Sequence, residues 1–333
     1  MDQMQIAFFL IILGAILQGT FGIFIKDTKP LKWENFWAIF SVVAYLLGPL
    51  IFALFQIQNL SFILNSIPRD IVYLPLIFGM IWGIGAILFG ICVVKIGVSL
   101  TYSIILGIVT LTGAILPIFI NKISLNLESG TYLSVGLVIV TTGIILSGYA
   151  GVLRDRFLKI GNRASLSGIM LAVISGIFSS FLNLGFVTGK DINAFAIASG
   201  VSDTNSSALV WLIVIFGGFI VNFTYALYLL SKNKSFYVYK KINIKVLLPV
   251  LTSGVFWFTS FALFGIGSTK MGTLGPSVGW AILLSLSIVV SNTLGIKFGE
   301  WKSTKKALRI QLVALGLIIL GVILVSYSAL TSS

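Results

Sequence analysis

Apolar residues run through this chain in long, nearly unbroken blocks separated by short polar connections. A helix needs about twenty mainly apolar residues to cross a hydrocarbon core about 30 Å thick. Ten blocks meet that length, at residues 4–25, 36–55, 71–94, 99–120, 132–149, 167–187, 208–230, 246–266, 276–295 and 310–328. The pattern predicts an all-α polytopic membrane protein with ten transmembrane helices. Nearly every charge falls in the connections, and none of these is long enough for a soluble domain. The residues before the first block, Met1-Asp2-Gln3-Met4-Gln5, contain no Lys or Arg. The block also runs too far for a signal peptide, so it is expected to stay in the protein as helix 1.

The basic residues predict an orientation. Connections after helices 1, 3, 5, 7 and 9 hold 3, 1, 4, 5 and 5 Lys or Arg, eighteen of the 22. Those after helices 2, 4, 6 and 8 hold one each: Arg69, Lys122, Lys190 and Lys270. The richer set includes Arg154, Arg156, Lys159, Arg163, Lys240, Lys241, Lys302, Lys305, Lys306 and Arg309. The positive-inside bias puts that set in the cytoplasm and both termini on the non-cytoplasmic side of the plasma (inner) membrane. Spread over many connections, the net charge of +13 forms no nucleic-acid patch.

The two halves of the chain match. Residues 78–97 read FGMIWGIGAILFGICVVKIG and residues 253–272 read SGVFWFTSFALFGIGSTKMG. Without a gap, Gly79, Trp82, Leu88, Phe89, Gly90, Ile91, Lys95 and Gly97 meet Gly254, Trp257, Leu263, Phe264, Gly265, Ile266, Lys270 and Gly272. The same offset puts helix 2 on helix 7, helix 4 on helix 9 and helix 5 on helix 10, while helices 1 and 6 match loosely. We therefore expect a first five-helix repeat over 1–150, a cytoplasmic linker over 151–166 and a second repeat over 167–333. Five is odd, so the second copy enters the membrane from the opposite side. Such inverted repeats surround a midplane site in many secondary transporters.

Composition narrows the chemistry. The chain has no histidine and one cysteine, Cys92. Ser/His/Asp and Cys/His catalysis, an intrachain disulfide and a His- or Cys-based metal site are thereby excluded or disfavoured. No cofactor is expected, and Cys92 reads as a small buried hydrophobe. No phosphate-binding GxxxxGK[ST] loop is present, which disfavours ATP-driven transport. The reading is a transporter of a small molecule rather than an enzyme. A drug or metabolite exporter is the alternative, and a membrane sensor or polytopic enzyme is a more distant one.

Four clusters carry a resemblance. They are Lys32-Trp33-Glu34 with Trp37, Phe78-Gly79 with Trp82-Gly83-Ile84-Gly85, Gly176-Ile177-Phe178-Ser179, and Glu300-Trp301. In these the chain resembles the L-rhamnose–proton symporter family of the drug/metabolite transporter superfamily, along its whole length. The resemblance implies a central cavity lined by helices 1, 3, 4, 6, 8 and 9, and uptake of a deoxy sugar with a proton. Members of that family carry Asn and Tyr just after Trp-Gly-Ile-Gly, where this chain has Ala86, Ile87, Leu88 and Phe89. They also carry a polar, Tyr-containing stretch at the start of helix 9, here Gly275-Pro276-Ser277-Val278-Gly279. The departures bear on the sugar's polar contacts rather than on the fold.

Candidate site residues follow from polarity at mid-depth. Trp82 and Trp257 occupy equivalent positions in helices 3 and 8, where an indole N–H needs an internal partner. They line a cavity or pack against glycine-rich neighbours. Gln18 and Asn183 are mid-depth amides in helices 1 and 6, suited to substrate or to a neighbouring helix. Tyr102, Ser103, Thr259, Ser260, Ser277 and Trp280 are further candidates, although membrane Ser and Thr often bond their own helix. All nine acids fall at helix ends or in connections. Glu34, opening helix 2 within a family motif, is the candidate for proton coupling, and a carboxylate is also favoured at a helix N-terminus for purely structural reasons.

Overall fold

A computed structural model describes residues 2–25, 28–159 and 165–332, without the side chain of Ile25. Lys26, Asp27 and Arg163, and with Arg163 part of the 151–166 linker, lie outside the described residues. The described chain is helical and contains no strand. Ten helices are long and apolar enough to cross a membrane. They are α1 Gln3–Phe24, α2 Trp33–Gln56, α3 Arg69–Ile96, α4 Val98–Ile120, α5 Leu127–Phe157, α6 Leu166–Ala198, α7 Asp203–Lys232, α8 Ile244–Lys270, α9 Gly272–Lys297 and α10 Lys305–Leu330.

Each expected block is present, and several helices overrun it. Their polar ends stay helical because caps satisfy the first free N–H groups. Asp2 forms a capping box with Gln5 at the start of α1, and Ser165 accepts from Gly168 N at the start of α6. Four helices are irregular, α1 among them because its last turn, Phe21–Ile25, is 3-10. A π turn, Val42–Leu47, interrupts α2, and another, Gly275–Gly279 with Pro276, follows the 3-10 turn Gly272–Leu274 that opens α9. The helix α6 is built from three pieces, Leu166–Ser179, Phe181–Thr188 and Lys190–Ala198.

The chain packs as two compact units, each drawing on both halves of the sequence. The first contains the residues through Ile84 together with Phe181–Lys270, so it holds α1, α2, the first part of α3, the last part of α6, α7 and α8. Here α1 lies against α8, and Ser253 Oγ donates to Phe21 O at 3.1 Å. The helix α7 packs on α2, and a Cβ at Gly218 of α7 would overlap the Trp82 ring. That glycine is the floor on which the indole lies.

The second unit contains Gly85–Ser180 and the residues from Met271, so it holds the rest of α3 and α6 with α4, α5, α9 and α10. Its spine is the antiparallel pair α5 and α10. Asn126 accepts from Ser129 N to cap α5, and its Nδ2 donates to Thr331 O at the far end of α10, both at 2.7 Å. Further along, Ser129 Oγ donates to Ser328 O at 2.7 Å, and Gln311 Nε2 donates to Ser147 Oγ at 2.9 Å. Between these ties Gly136 faces Val325 and Gly143 faces Ile318, so close that any Cβ would collide. In hydrocarbon such close small-residue packing, with its hydrogen bonds, holds helices together. Cys92 is buried and free in this unit, as its apolar surroundings predict.

An ionic corner joins the ends of three elements of the second unit. Arg154 donates to Asp155 Oδ1 at 2.9 Å and to Glu300 Oε2 at 3.3 Å, with its guanidinium 4.8 Å from the Trp301 ring centroid. Ser99 Oγ donates to Asp155 Oδ2 at 2.7 Å. These contacts give Glu300-Trp301 a local structural role.

Candidate substrate-binding site

The repeated tryptophans meet inside the first unit. Trp82 of α3 and Trp257 of α8 stack with ring centroids 5.5 Å apart and planes 19° apart. Tyr45, carried by the π turn of α2, stands edge-on to both, at 5.2 Å from Trp82 and 4.8 Å from Trp257. Phe40 lies edge-on to Tyr45 and Trp257, and Phe261 packs on Trp257 at 4.6 Å. Trp37 stacks on Phe40 at 5.2 Å. Edge-to-face and offset arrangements suit the aromatic quadrupole, and each pair adds about 0.5–1.5 kcal/mol beyond its area burial.

Polar groups at this cluster divide into used and unused. Trp37 Nε1 donates to Asn222 Oδ1 at 3.0 Å, while Asn222 Nδ2 donates to Gly218 O at 2.9 Å and to Gly83 O at 3.3 Å. Asn222 is thus a fully engaged strut tying α2, α3 and α7 together. Gln18 Oε1 and Trp257 O share the single Ser260 hydroxyl proton, at 2.6 Å and 2.7 Å from Ser260 Oγ. By contrast, no described residue accepts from the indole N–H of Trp82 or Trp257, from the Tyr45 hydroxyl, or from Gln18 Nε2. The three rings are only 2–6% exposed. These donor atoms keep some open surface, whereas Trp211 Nε1, Ser41 Oγ and Ser207 Oγ of the same unit are enclosed without a described partner.

Glu34 sits in the first turn of α2, buried, and is the only buried carboxylate among the described residues. Asn233 Nδ2 and Ser235 Oγ both donate to its Oε1, at 3.1 Å and 2.8 Å. Asn35 beside it donates to Ser235 O at 2.9 Å and receives the Tyr239 hydroxyl on its own carbonyl at 3.2 Å. The start of α2 is therefore fastened to the connection between α7 and α8.

Of the residues singled out from the sequence, Gln18, Trp82, Trp257 and Ser260 come together in the first unit. Thr259 is half-buried in the same unit, and Asn183 is fully buried there on the middle piece of α6. Tyr102, Ser103, Ser277 and Trp280 belong to the second unit. Tyr102 is exposed and stands edge-on to Phe89 at 4.7 Å, and Ser103 Oγ donates to Ile144 O at 3.2 Å. Ser277 is buried in the π turn of α9, with no described partner for its hydroxyl. Trp280 is buried across Gly113 and donates to Val109 O at 3.1 Å. Sequence reasoning missed Tyr45, Phe40 and Asn222, and assigned Trp37 to a motif without a role. Trp37 and Phe40, about one turn apart on α2, were the available signal for an inward face.

Comparison with known proteins agrees with this assembly. A family model described as L-rhamnose-proton symport protein matches residues 2–330. An L-rhamnose-proton symporter of Yersinia pestis (strain Pestoides F) is 26% identical over 322 residues, covering 93% of this chain and 94% of that protein. A protein of the same description from Shigella boydii serotype 18 is 24% identical over 322 residues, covering 93% of each. With ten membrane-spanning helices and a family match over nearly its whole length, this chain is an integral membrane protein that belongs to the L-rhamnose-proton symport protein family.

Proposed function

We propose that this protein is a secondary transporter carrying L-rhamnose, or a closely similar deoxy sugar, together with a proton. The observation that carries the reading is the Trp82–Trp257–Tyr45 cluster, with three unpaired donors on three nearly buried rings. A deoxy sugar offers an apolar C–H face and methyl group to aromatic rings and hydroxyl oxygens to N–H and O–H donors. Gln18 Nε2 supplies a further donor beside Ser260. These groups take over polar contacts that Ala86–Phe89 do not provide. Asn183, Tyr102, Ser277 and Trp280 remain proposed lining residues.

Alternating access between inverted repeats is the proposed mechanism, with the 1–150 and 167–333 halves as its copies. Two features support it. Counterpart helices α5 and α10 run antiparallel, as opposite insertion demands. The counterpart residues Trp82 and Trp257 also touch each other, as residues near a two-fold axis do. The proposed proton carrier is Glu34. Both side-chain donors land on Oε1, so a proton on Oε2 would displace neither.

Counterflow tests the assignment. Proteoliposomes loaded with unlabelled L-rhamnose should draw in labelled L-rhamnose and exchange it poorly for a non-deoxy hexose. Glu34→Gln should keep counterflow and lose accumulation driven by a pH gradient. Absence of exchange with every deoxy sugar, together with efflux of apolar dyes, would replace this reading with an exporter.

A further inference from the structure

The connection from α7 to α8 is a shaped basic surface. Lys232, Lys234, Lys240, Lys241 and Lys245 are all exposed, and no Asp or Glu occurs between Asp203 and Glu300. None of the five lysines forms a salt bridge with a described residue. A loose basic loop would be merely solvated, but this one is held. Residues Ser235–Lys241 form a 3-10 turn whose Ser235 and Val238 are buried. Ser235 is bonded to Glu34 and Asn35, and Tyr239 to Asn35. Around these two buried anchors Phe236, Tyr237, Lys240 and Lys241 are exposed. Lys241 lies 5.2 Å from the Tyr237 ring centroid and Lys232 lies 5.6 Å from that of Tyr228.

Because the turn joins two membrane-spanning helices, it lies at the membrane surface. Exposed aromatic rings there settle at headgroup level, and lysine ammonium groups meet the phosphates of anionic lipids. We propose that this turn, with Lys232, Lys234 and Lys245, is a binding site for the headgroups of anionic phospholipids. Charge complementarity selects the occupant: unpaired cations on a fixed frame, with exposed rings to enter the acyl boundary. The site also has a route to transport. The residues that hold the turn are Glu34 and Asn35 of α2, the helix that carries Trp37, Phe40 and Tyr45. Lipid occupancy therefore steadies the start of α2. Only this consequence rests on the sugar-transport reading.

The test is native mass spectrometry of the full chain in neutral detergent, titrated with dioleoyl phosphatidylglycerol, dioleoyl phosphatidylcholine or soluble glycerol phosphate. The wild type should retain phosphatidylglycerol in preference to both others. Lys240→Ala with Lys241→Ala should weaken that binding about twenty-five-fold, from roughly one factor of five per lysine near a membrane surface. Lys240→Arg with Lys241→Arg should restore it and guards against misfolding. Lys305→Ala with Lys306→Ala, in the other unit, should leave it unchanged. Undiminished phosphatidylglycerol binding by the double alanine variant, an equal loss in the Lys305/Lys306 variant, or glycerol phosphate binding as tight as the lipid would each overturn the proposal.

Discussion

The Tyr45 hydroxyl is a small group with a large expected effect. Its ring braces both indoles, and the oxygen adds a donor that nothing in its surroundings uses. Tyr45→Phe keeps the ring and removes one hydrogen bond worth about 1 kcal/mol. The expected outcome is a KM for sugar raised about fivefold with the protein's melting temperature unchanged, measured by counterflow kinetics and thermal denaturation. A wild-type KM would remove Tyr45 from the site. Gly218→Leu should act differently, because it displaces the Trp82 ring and reaches the cluster through packing. Loss of sugar binding and lower stability should come together there. The tryptophan pair was legible in the sequence because two copies of one motif share a register. Tyr45 was not, since one aromatic residue in an apolar run carries no face of its own. A π turn then shifts the face it takes.

At the scale of elements, the number of helices was legible and their ends were not. Bilayer thickness forces about twenty apolar residues into each crossing, so ten blocks give ten helices. Nothing in that argument limits a helix once it leaves the hydrocarbon. α5 accordingly runs to Phe157, well past the block at 132–149, and ends where Arg154 enters the ionic corner. The break in α6 at Ser180 was equally silent, because the sequence there contains no proline. Two predictions belong here. Gly143→Val forces a side chain into Ile318 on α10 and should lower the melting temperature, at a cost of about 1–3 kcal/mol. Arg154→Ala leaves Asp155 and Glu300 facing each other's charge in a half-exposed corner and should cost on the order of 1–2 kcal/mol. Arg154→Lys should recover only part, since lysine lacks the planar fork that serves two carboxylates and stacks on Trp301. Equal stability of Arg154→Ala and wild type in detergent would mean that the corner does not contribute.

For the whole molecule, the charge distribution and the repeat make one joint prediction about orientation. Eighteen of the 22 basic residues follow odd-numbered helices, so the expected place of the end of α5 is the cytoplasm. In a Cys92→Ala background, Leu158→Cys should react with a membrane-impermeant maleimide only after the cells are permeabilised. Lys122→Cys should react from outside. The reverse labelling would invert the topology. The cargo was the least legible feature, because polar contacts that the family motif leads one to expect are replaced here by Ala86, Ile87, Leu88 and Phe89. The groups we propose in their place come from α1, α2, α3 and α8, brought together only by folding. The most direct test is therefore uptake of labelled L-rhamnose into proteoliposomes under an imposed inward proton gradient, comparing wild type with Trp257→Ala. The account predicts saturable accumulation by the wild type that a protonophore abolishes, and at least a tenfold fall in uptake efficiency for the variant. Uptake unaffected by Trp257→Ala, or no gradient-dependent accumulation by the wild type, would contradict it.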